Sequence, residues 1–239
     1  MTNATEPLLP KDRVLTAAEI SQAWEPTKQK LIANDSDNDL RVRVHRACVA
    51  LSEAERIESI QDSRVALDAG LVLRWISLNA LYGQWDNQSG MPMRDRVSLD
   101  SFTSRVAAID SGGRIAAVLG LLDVEAQTLL ESTFLTQRFW QDQEWENVRP
   151  KKGRYRSYRD DRISGRIANP LHQLLIVVYF LRCQIVHGGA TLGSDVNRVT
   201  VEPASRVLAL LSSHLLAIAV EHGVKMEWGT LCYPPVRES

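Results

Sequence analysis

The sequence predicts an all-α protein, and two patterns carry this prediction. Apolar residues recur with the 3.6-residue period of amphipathic helices along most of the 239 residues. The alternation typical of a β-strand is missing except in the short stretch RVTVE, residues 198–202. With 44% hydrophobic and 24% charged residues, the composition is ordinary for a globular protein with a core. The length fits one large domain or one domain with a helical extension.

Residues 1–62 are predicted to form an N-terminal helical extension. Thr16 and Glu19 make the Thr-x-x-Glu capping box that begins a helix. A break rich in Asn and Asp, at residues 34–38, separates this helix from the next one. The apolar face of the second helix consists of Leu40, Val44, Ala47, Leu51 and Ala54.

Residues 63–239 are predicted to form the main helical domain. Its first helix continues to Tyr82 and ends near Gly83. After a loop with glycine and proline, helical segments are expected at residues 99–109, 114–121 and 124–141. Residues 147–166 are charged and show no apolar period, so they are interpreted as a long basic loop.

Two further helices complete the predicted domain. Asn169 is expected to be the N-cap of a strongly apolar helix, and Pro170 its first residue. The last helix is expected at about residues 203–222, where Gly223 ends it.

Charge and cysteine content exclude several kinds of partner and site. The formal net charge of −1 gives no overall attraction to nucleic acid or to a membrane, so such contacts need a local patch. Cys48, Cys183 and Cys232 are far apart, which fits a cytoplasmic protein without disulfides, bound metal or other cofactor. The N-terminus lacks a signal-peptide pattern, and the longest apolar run, residues 174–181, is too short to span a membrane.

The apolar helix after Asn169 carries a cation in the middle of its apolar face. At about 100° per residue, one stripe of this helix contains Leu171, Leu175, Val178, Arg182 and Ile185. A guanidinium there stays protonated and has to be paired, hydrogen-bonded or placed in a cleft or a subunit interface. The structural alternative is an ion pair with a buried carboxylate.

A histidine, His187, follows five residues after Arg182 and stands directly before two glycines. On a continuous helix it would lie about 140° from Arg182. The glycines allow positive φ and an abrupt helix end, which can displace the histidine toward the arginine. A second subunit that supplies one of the two side chains would also bring an arginine and a histidine together. The structural alternative is a C-terminal cap favoured by the helix dipole.

The segment LRCQIVHGG, residues 181–189, resembles the R-x-x-x-x-H signature of the HEPN superfamily. These helical domains occur in prokaryotic ribonucleases, toxin–antitoxin modules and phage-defence proteins. RWISLNALYGQW, residues 74–85, is similar to the first core helix of the larger bacterial HEPN proteins, and HGGATLGSDVNR, residues 187–198, resembles the segment after their histidine. The resemblance covers roughly residues 64–223 and implies a HEPN-like helical bundle.

In catalytic HEPN domains the arginine and the histidine cleave RNA without a metal, usually in a site shared across a homodimer. The resemblance therefore implies that His187 is the acid/base and that Arg182 stabilises the transition state. The side chains suit this chemistry, since an imidazole can move the proton of an attacking 2′-hydroxyl and a guanidinium can hold phosphorane oxygens. The tyrosine that follows the histidine in some HEPN toxins is replaced by glycine, so its adenylylation is not expected.

Five further residues are predicted to support this pair. Asn79 shares a helical face with Trp75 and Tyr82 and can orient Arg182 or His187 across the bundle. An ordinary capping or core asparagine is the alternative. The residues of the glycine turn and beyond that can line the same cleft, or serve as loop and cap residues, are Gly188, Thr191, Asn197 and Arg198.

A basic segment precedes the candidate pair by one helix. Residues 149–166 contain eight Arg or Lys against two Asp, a local charge of +6, with tyrosines between them. Cations neutralise phosphates and rings stack on bases, so this composition suits single-stranded RNA. A solvated loop is the alternative. The predicted RNA contacts are Lys151, Lys152, Arg154, Tyr155, Arg156, Tyr158 and Arg159.

Two functions stay open at this level. The first is a metal-independent endoribonuclease, a toxin or phage-defence effector, that works as a homodimer and has an antitoxin or defence-system partner. The second is a non-catalytic HEPN module that binds RNA, nucleotide or a partner protein. Cys183 slightly favours the second, because HEPN proteins commonly have asparagine or another polar residue there.

Overall fold

The computed structural model describes residues 9–36, 38–60, 63–141, 153–195 and 197–231. In these residues the regular structure is helical apart from one short hairpin, which confirms the all-α class. The first elements are α1 (Ala17–Ala33), α2 (Asn38–Ile60), α3 (Arg64–Tyr82), β1 (Trp85–Asp86) and β2 (Met91–Pro92). They are followed by α4 (Asp95–Ile109), α5 (Arg114–Leu121), α6 (Asp123–Leu130), α7 (Gln137–Gln141), α8 (Arg154–Ile163), α9 (Ala168–Val186) and α10 (Arg198–His222), which the 3₁₀ turn Gly223–Lys225 extends.

The last helix, α10, lies at the centre of the bundle. It packs against α1, α2, α3, α4, α5, α6 and α9, and nearly all of its side chains from residue 204 to 220 are buried. One core cluster extends from Leu9 to Trp228. The boundary predicted between residues 62 and 63 falls between α2 and α3, which pack along each other and share this core.

Two helical segments, Arg64–Tyr82 and Arg198–Lys225, are long and apolar enough to cross a membrane by length and composition alone. Within the structure, 56% and 78% of their apolar windows are buried. Core helices of soluble proteins pass the same criterion, so these two segments are weak evidence for a membrane.

Several predicted helix ends are confirmed. The Thr16 hydroxyl accepts a hydrogen bond from the N–H of Glu19 (3.2 Å), and the Glu19 carboxylate accepts one from the N–H of Thr16 (2.9 Å). This is the predicted capping box, and it begins α1. The helices α3 and α10 end directly before Gly83 and Gly223, as expected.

The interpretation of residues 147–166 as a loop is wrong for the part that the structure describes, since residues 154–163 form α8. The inner face of this helix consists of Tyr155, Tyr158 and Arg162 instead of aliphatic residues, so the sequence shows no apolar period. Tyr158 is fully buried, and its hydroxyl donates a hydrogen bond to a backbone carbonyl of α5 (3.2 Å).

Other expected bounds differ from the structure by smaller amounts. RVTVE forms the first turn of α10, because packing of Val201 into the core outweighs β propensity. Since α9 begins at Ala168, Asn169 lies inside its first turn and is not the cap. The segment expected at residues 124–141 is divided into α6 and α7, because a threonine hydroxyl caps a new helix there. The segment expected at residues 99–109 is α4, which begins four residues earlier.

Two buried arginines donate hydrogen bonds to backbone carbonyls near the two ends of the described part of the chain. Arg43 of α2 donates hydrogen bonds to the carbonyls of Leu81 (3.1 Å) and Gly229 (3.0 Å), so it closes the C-terminus of α3. Arg114 of α5 donates to the carbonyl of Leu9 (2.9 Å) and forms an ion pair with Glu221 (2.7 Å).

A buried histidine of α10 completes the network around Arg114. The Nε2 of His214 lies 2.9 Å from the carbonyl oxygen of Arg13, so Nε2 carries the proton. Its Nδ1 lies 3.3 Å from the Arg114 guanidinium and accepts from it. An acceptor Nδ1 requires the neutral ring, and burial lowers the pKa of His214 to about 4, with the Arg114 charge adding to the shift.

We expect the free energy of unfolding to fall between pH 7 and pH 5 in a way that depends on His214. The unfolded ring takes up a proton below its usual pKa of 6.5, whereas the folded ring does so only near pH 4. This difference lowers the free energy of unfolding by about 2 kcal/mol over that interval. Urea unfolding at both pH values measures the loss, which should be about 2 kcal/mol smaller in His214→Gln. Equal losses in the two proteins would contradict a neutral buried His214.

Candidate functional site

The C-terminal end of α9 holds His187 in a defined, exposed position. The N–H of Gly189 donates to the carbonyl of Gln184 (2.8 Å), and the N–H of Gly188 donates to the carbonyl of Ile185 (3.4 Å). This pair of bonds is a Schellman closure, and it places Gly188 at φ 73°, a conformation that favours glycine. His187 is the last residue before this turn and is exposed to solvent.

The glycine turn does not bring His187 toward Arg182. His187 has φ −92° and ψ 12°, close to the helical path, and the left-handed step comes one residue later. Five residues of helix separate the two side chains by about 140° around the axis and about 7.5 Å along it. Within one chain they therefore project in different directions.

His187 lies at a cavity of about 350 Å³ beside the second half of α9. The cavity is lined by Gln137, Tyr179, Phe180, Cys183, Gln184, His187 and Gly189. The side-chain amide of Gln184 donates to the carbonyl of Phe134 (2.9 Å), which ties the wall to the segment before α7. The Gln137 side-chain oxygen accepts from Arg96 of α4 (2.6 Å). Both amides are thus held in place by groups outside α9.

Arg182 projects toward the tyrosines between α3 and α9. Burial raises the pKa of Tyr82 and of Tyr179, and the nearby Arg182 charge opposes both shifts. The Trp75 ring bridges the two tyrosines, with centroids 6.2 Å from Tyr82 and 5.9 Å from Tyr179. Among the described residues Arg182 forms no ion pair with a carboxylate, and its nearest polar contact is the Cys183 sulfur at 3.9 Å. The alternative of a structural ion pair is therefore not observed within the described residues.

The loop after the glycine turn is fastened to α3 by a buried carboxylate. Asp68 accepts hydrogen bonds from the N–H of Gly193 (2.7 Å) and from the guanidinium of Arg198 (2.6 Å). Both side chains of this ion pair are buried, with Asp68 2% and Arg198 11% exposed. A second ion pair on the surface joins Arg64 of α3 to Asp195 of the loop. Arg198 thus positions the loop and does not extend into the cavity beside His187.

The other predicted supporting residues do not meet the Arg182 and His187 side chains. Asn79 lies at a separate groove between α2 and α3, among Ala50, Ile76 and Gly83. Thr191 is exposed, and its carbonyl closes a turn of the loop. The carbonyl of Asn197 accepts the first hydrogen bonds of α10, so this residue caps that helix through its backbone.

The predicted RNA contacts are brought together only in part. Lys151 and Lys152 lie outside the described residues. Tyr158 is a core residue, so the expectation that it stacks on RNA bases is wrong. The outward cations of α8 are Arg156 and Arg159, which are both exposed.

Two more of these residues take part in packing. The Tyr155 hydroxyl donates to Asp123 of α6 (2.9 Å), and its ring stacks on that of Tyr158. Arg154 is half-buried, and burial lowers its pKa. Of the two tyrosines expected to stack on bases, Tyr158 is therefore buried and Tyr155 is half-buried.

No three His, Cys, Asp or Glu side chains within the described ranges are grouped so that they could hold a metal ion. No family model, curated protein or solved structure matches the chain.

Two important side chains, Asp68 and Arg96, were not predicted from the sequence. Asp68 stands in the apolar stretch RVALDAGLVL, where a buried carboxylate needs a partner, so its pattern could have identified it. Arg96 follows the hairpin in a polar stretch, where a charged residue does not stand out from its neighbours. Its place beside the cavity results from the packing of α4 on α9.

We expect Asp68→Ala to lower the free energy of unfolding by about 3–5 kcal/mol, because it leaves Arg198 buried without its charge partner. Urea unfolding at neutral pH measures this loss. Asp195→Ala is the matched control, since its ion pair with Arg64 is exposed and contributes less than about 1 kcal/mol. Equal effects of the two substitutions would contradict the role given to Asp68.

Proposed function

We propose that this protein is a metal-independent endoribonuclease of the HEPN type whose active site is shared by two copies of the chain. The observation that supports this most is the placement of His187, which is exposed, fixed by the helix end and adjacent to a cavity with aromatic walls. An accessible imidazole beside rings that can stack on bases suits acid–base chemistry on single-stranded RNA.

The proposed reaction needs only side chains of this protein and the RNA itself. His187 takes the proton of a 2′-hydroxyl, whose oxygen attacks the adjacent phosphorus and displaces the 5′-oxygen of the next nucleotide. A proton returned to that leaving oxygen completes the step, and the product carries a 2′,3′-cyclic phosphate. Arg182 donates hydrogen bonds to the phosphorane oxygens as their charge develops.

The divergence of the two side chains is the reason for a shared site. Since Arg182 and His187 of one chain lie about 140° apart on α9, they do not reach one phosphate together. A two-fold axis near the end of α9 can pair His187 of one copy with Arg182 of the other. The apolar residues Val186 and Leu192, 48% and 54% exposed, flank His187 and offer a surface for such a dimer.

A non-catalytic module that binds RNA, nucleotide or a partner protein is the second candidate. The observation that favours it is the place of Arg182 among Tyr82 and Tyr179, with Cys183 as its nearest polar contact. In that function His187 contacts the ligand without moving a proton. The catalytic proposal includes a role as a toxin or phage-defence effector with an antitoxin or defence-system partner.

We expect the purified protein to cleave single-stranded RNA, and His187→Ala and Arg182→Ala each to lower the cleavage rate by about 10²–10⁴-fold. The measurement is the rate at which fragments with 2′,3′-cyclic phosphate ends appear from a labelled RNA. EDTA should leave the rate unchanged.

His45→Ala is the matched control for this experiment, since His45 is an exposed histidine of α2 away from the α9 cavity. It should cleave like the wild type, and circular dichroism should show that all variants are folded. Cleavage that survives both α9 substitutions, or stops with EDTA, would place the activity elsewhere. Binding of RNA that needs Arg182, without any cleavage, would support the non-catalytic module.

A further inference from the structure

The aromatic rings next to His187 lie on α9. On α8, Tyr158 is buried, and the half-buried ring of Tyr155 stacks on Tyr158 while its hydroxyl is bonded to Asp123. Tyr179 and Phe180 are half-buried and line the cavity next to His187. Base stacking on aromatic rings contributes about 1–3 kcal/mol per base when proteins bind single-stranded nucleic acid.

The polar groups of the cavity suit the edge of a nucleobase. The side-chain N–H of Gln184 donates to the carbonyl of Phe134, and its side-chain oxygen is left as an acceptor. Gln137 uses its oxygen toward Arg96 and keeps its amide N–H groups as donors. One acceptor and one donor in a mostly apolar cavity match the mixed donor and acceptor edge of a base. The volume of about 350 Å³ lies at the lower end of the range for small-ligand sites.

Arg96 lies beside the cavity, where it can bind the phosphate next to the base. The Arg96 guanidinium is 5.9 Å from the centroid of the Phe180 ring and is hydrogen-bonded to Gln137, so it is positioned against two cavity residues. Arg96 is exposed, and its remaining N–H groups make no ion pair within the described part of the chain. A guanidinium placed in this way can hold a phosphate bidentately.

The charged residues of the cleft on the other side of Tyr179 limit how many phosphates this region can bind. It contains Arg94 and Arg96 together with two carboxylates, Asp95 and Asp100. His172 lies 3.6 Å from Asp100, and burial lowers its pKa, so it adds no charge at neutral pH. These opposed charges suit one phosphate at Arg96 and not a run of phosphates.

From these contacts we infer that the cavity beside His187 is a nucleobase subsite for single-stranded RNA, in which Phe180 stacks on the base and Arg96 holds the adjoining phosphate. This inference rests on the proposed function for its substrate class. It assigns the RNA path to the junction of α4 and α9. The α8 cations then have no direct part in holding the base.

The test measures binding of a short fluorescent 2′-fluoro oligonucleotide, which lacks the attacking hydroxyl and cannot be cleaved. Phe180→Leu keeps an apolar side chain but removes the ring, and should raise the Kd by roughly 5- to 100-fold. Arg96→Gln should raise the Kd and reduce the slope of log K against log salt by about 0.7, the loss of one phosphate contact. Arg156→Gln, at an exposed α8 cation, is the matched control. It should bind within about twofold of the wild type, as an ordinary surface substitution does.

A second measurement uses the wild-type protein and so does not depend on how the variants fold. Photocrosslinking with a 4-thiouridine oligonucleotide should label the α9 peptide that contains Tyr179 and Phe180. Labelling confined to α8, or unchanged binding by both Phe180→Leu and Arg96→Gln, would overturn the inference. So would failure of the wild type to bind the uncleavable strand.

The same assays separate this inference from the catalytic proposal. Binding that depends on Phe180 and Arg96, together with RNA that stays uncut, would keep the subsite and remove the ribonuclease. Cleavage that needs His187 but is unchanged in Phe180→Leu and Arg96→Gln would keep the ribonuclease and remove the subsite.

Discussion

The carboxylate of Asp68 is the constraint on which the geometry around His187 depends. It holds the loop between α9 and α10 through the N–H of Gly193 and the guanidinium of Arg198. A charge this deeply buried requires both partners, so the loop has little freedom to take another path. The Schellman closure at Gly188 limits the other side of the histidine. The backbone at His187 is therefore held on both sides, while its side chain is exposed to solvent.

The regular path of α9 is the reason why we propose an active site shared by two copies of the chain. Arg182 and His187 stand on the same helix, and no side-chain rotation removes an angle of about 140° between their positions. Tyr82 and Tyr179 lie near Arg182, and Tyr179 also lines the cavity beside His187. In the proposed ribonuclease, a second copy of the chain would supply the missing group, because two-fold symmetry presents both sides of α9 at one interface.

The sequence predicted the elements whose signals are local. Thr16 and Glu19 predict the start of α1, and Gly188 predicts the end of α9. These signals are local because each residue affects the backbone within a few positions of itself. The helix α8 was not predicted, because its inner face contains tyrosines and an arginine, which are more common on solvated surfaces. The motif predicted Arg182 and His187 as candidates, but their divergence follows from φ and ψ at one residue. The cavity could not be predicted, since Gln137, Phe180 and Arg96 are brought together only by tertiary packing.

Mixing two inactive variants tests the shared active site most directly. Arg182→Ala and His187→Ala, unfolded together and refolded, form mixed dimers in which one site has His187 from one copy and Arg182 from the other. With a shared site this mixture should recover roughly a quarter of the wild-type cleavage rate, since half of the dimers are mixed and each has one complete site. If exchange of subunits is shown by native mass spectrometry and the mixture remains as inactive as either variant alone, the shared site is contradicted.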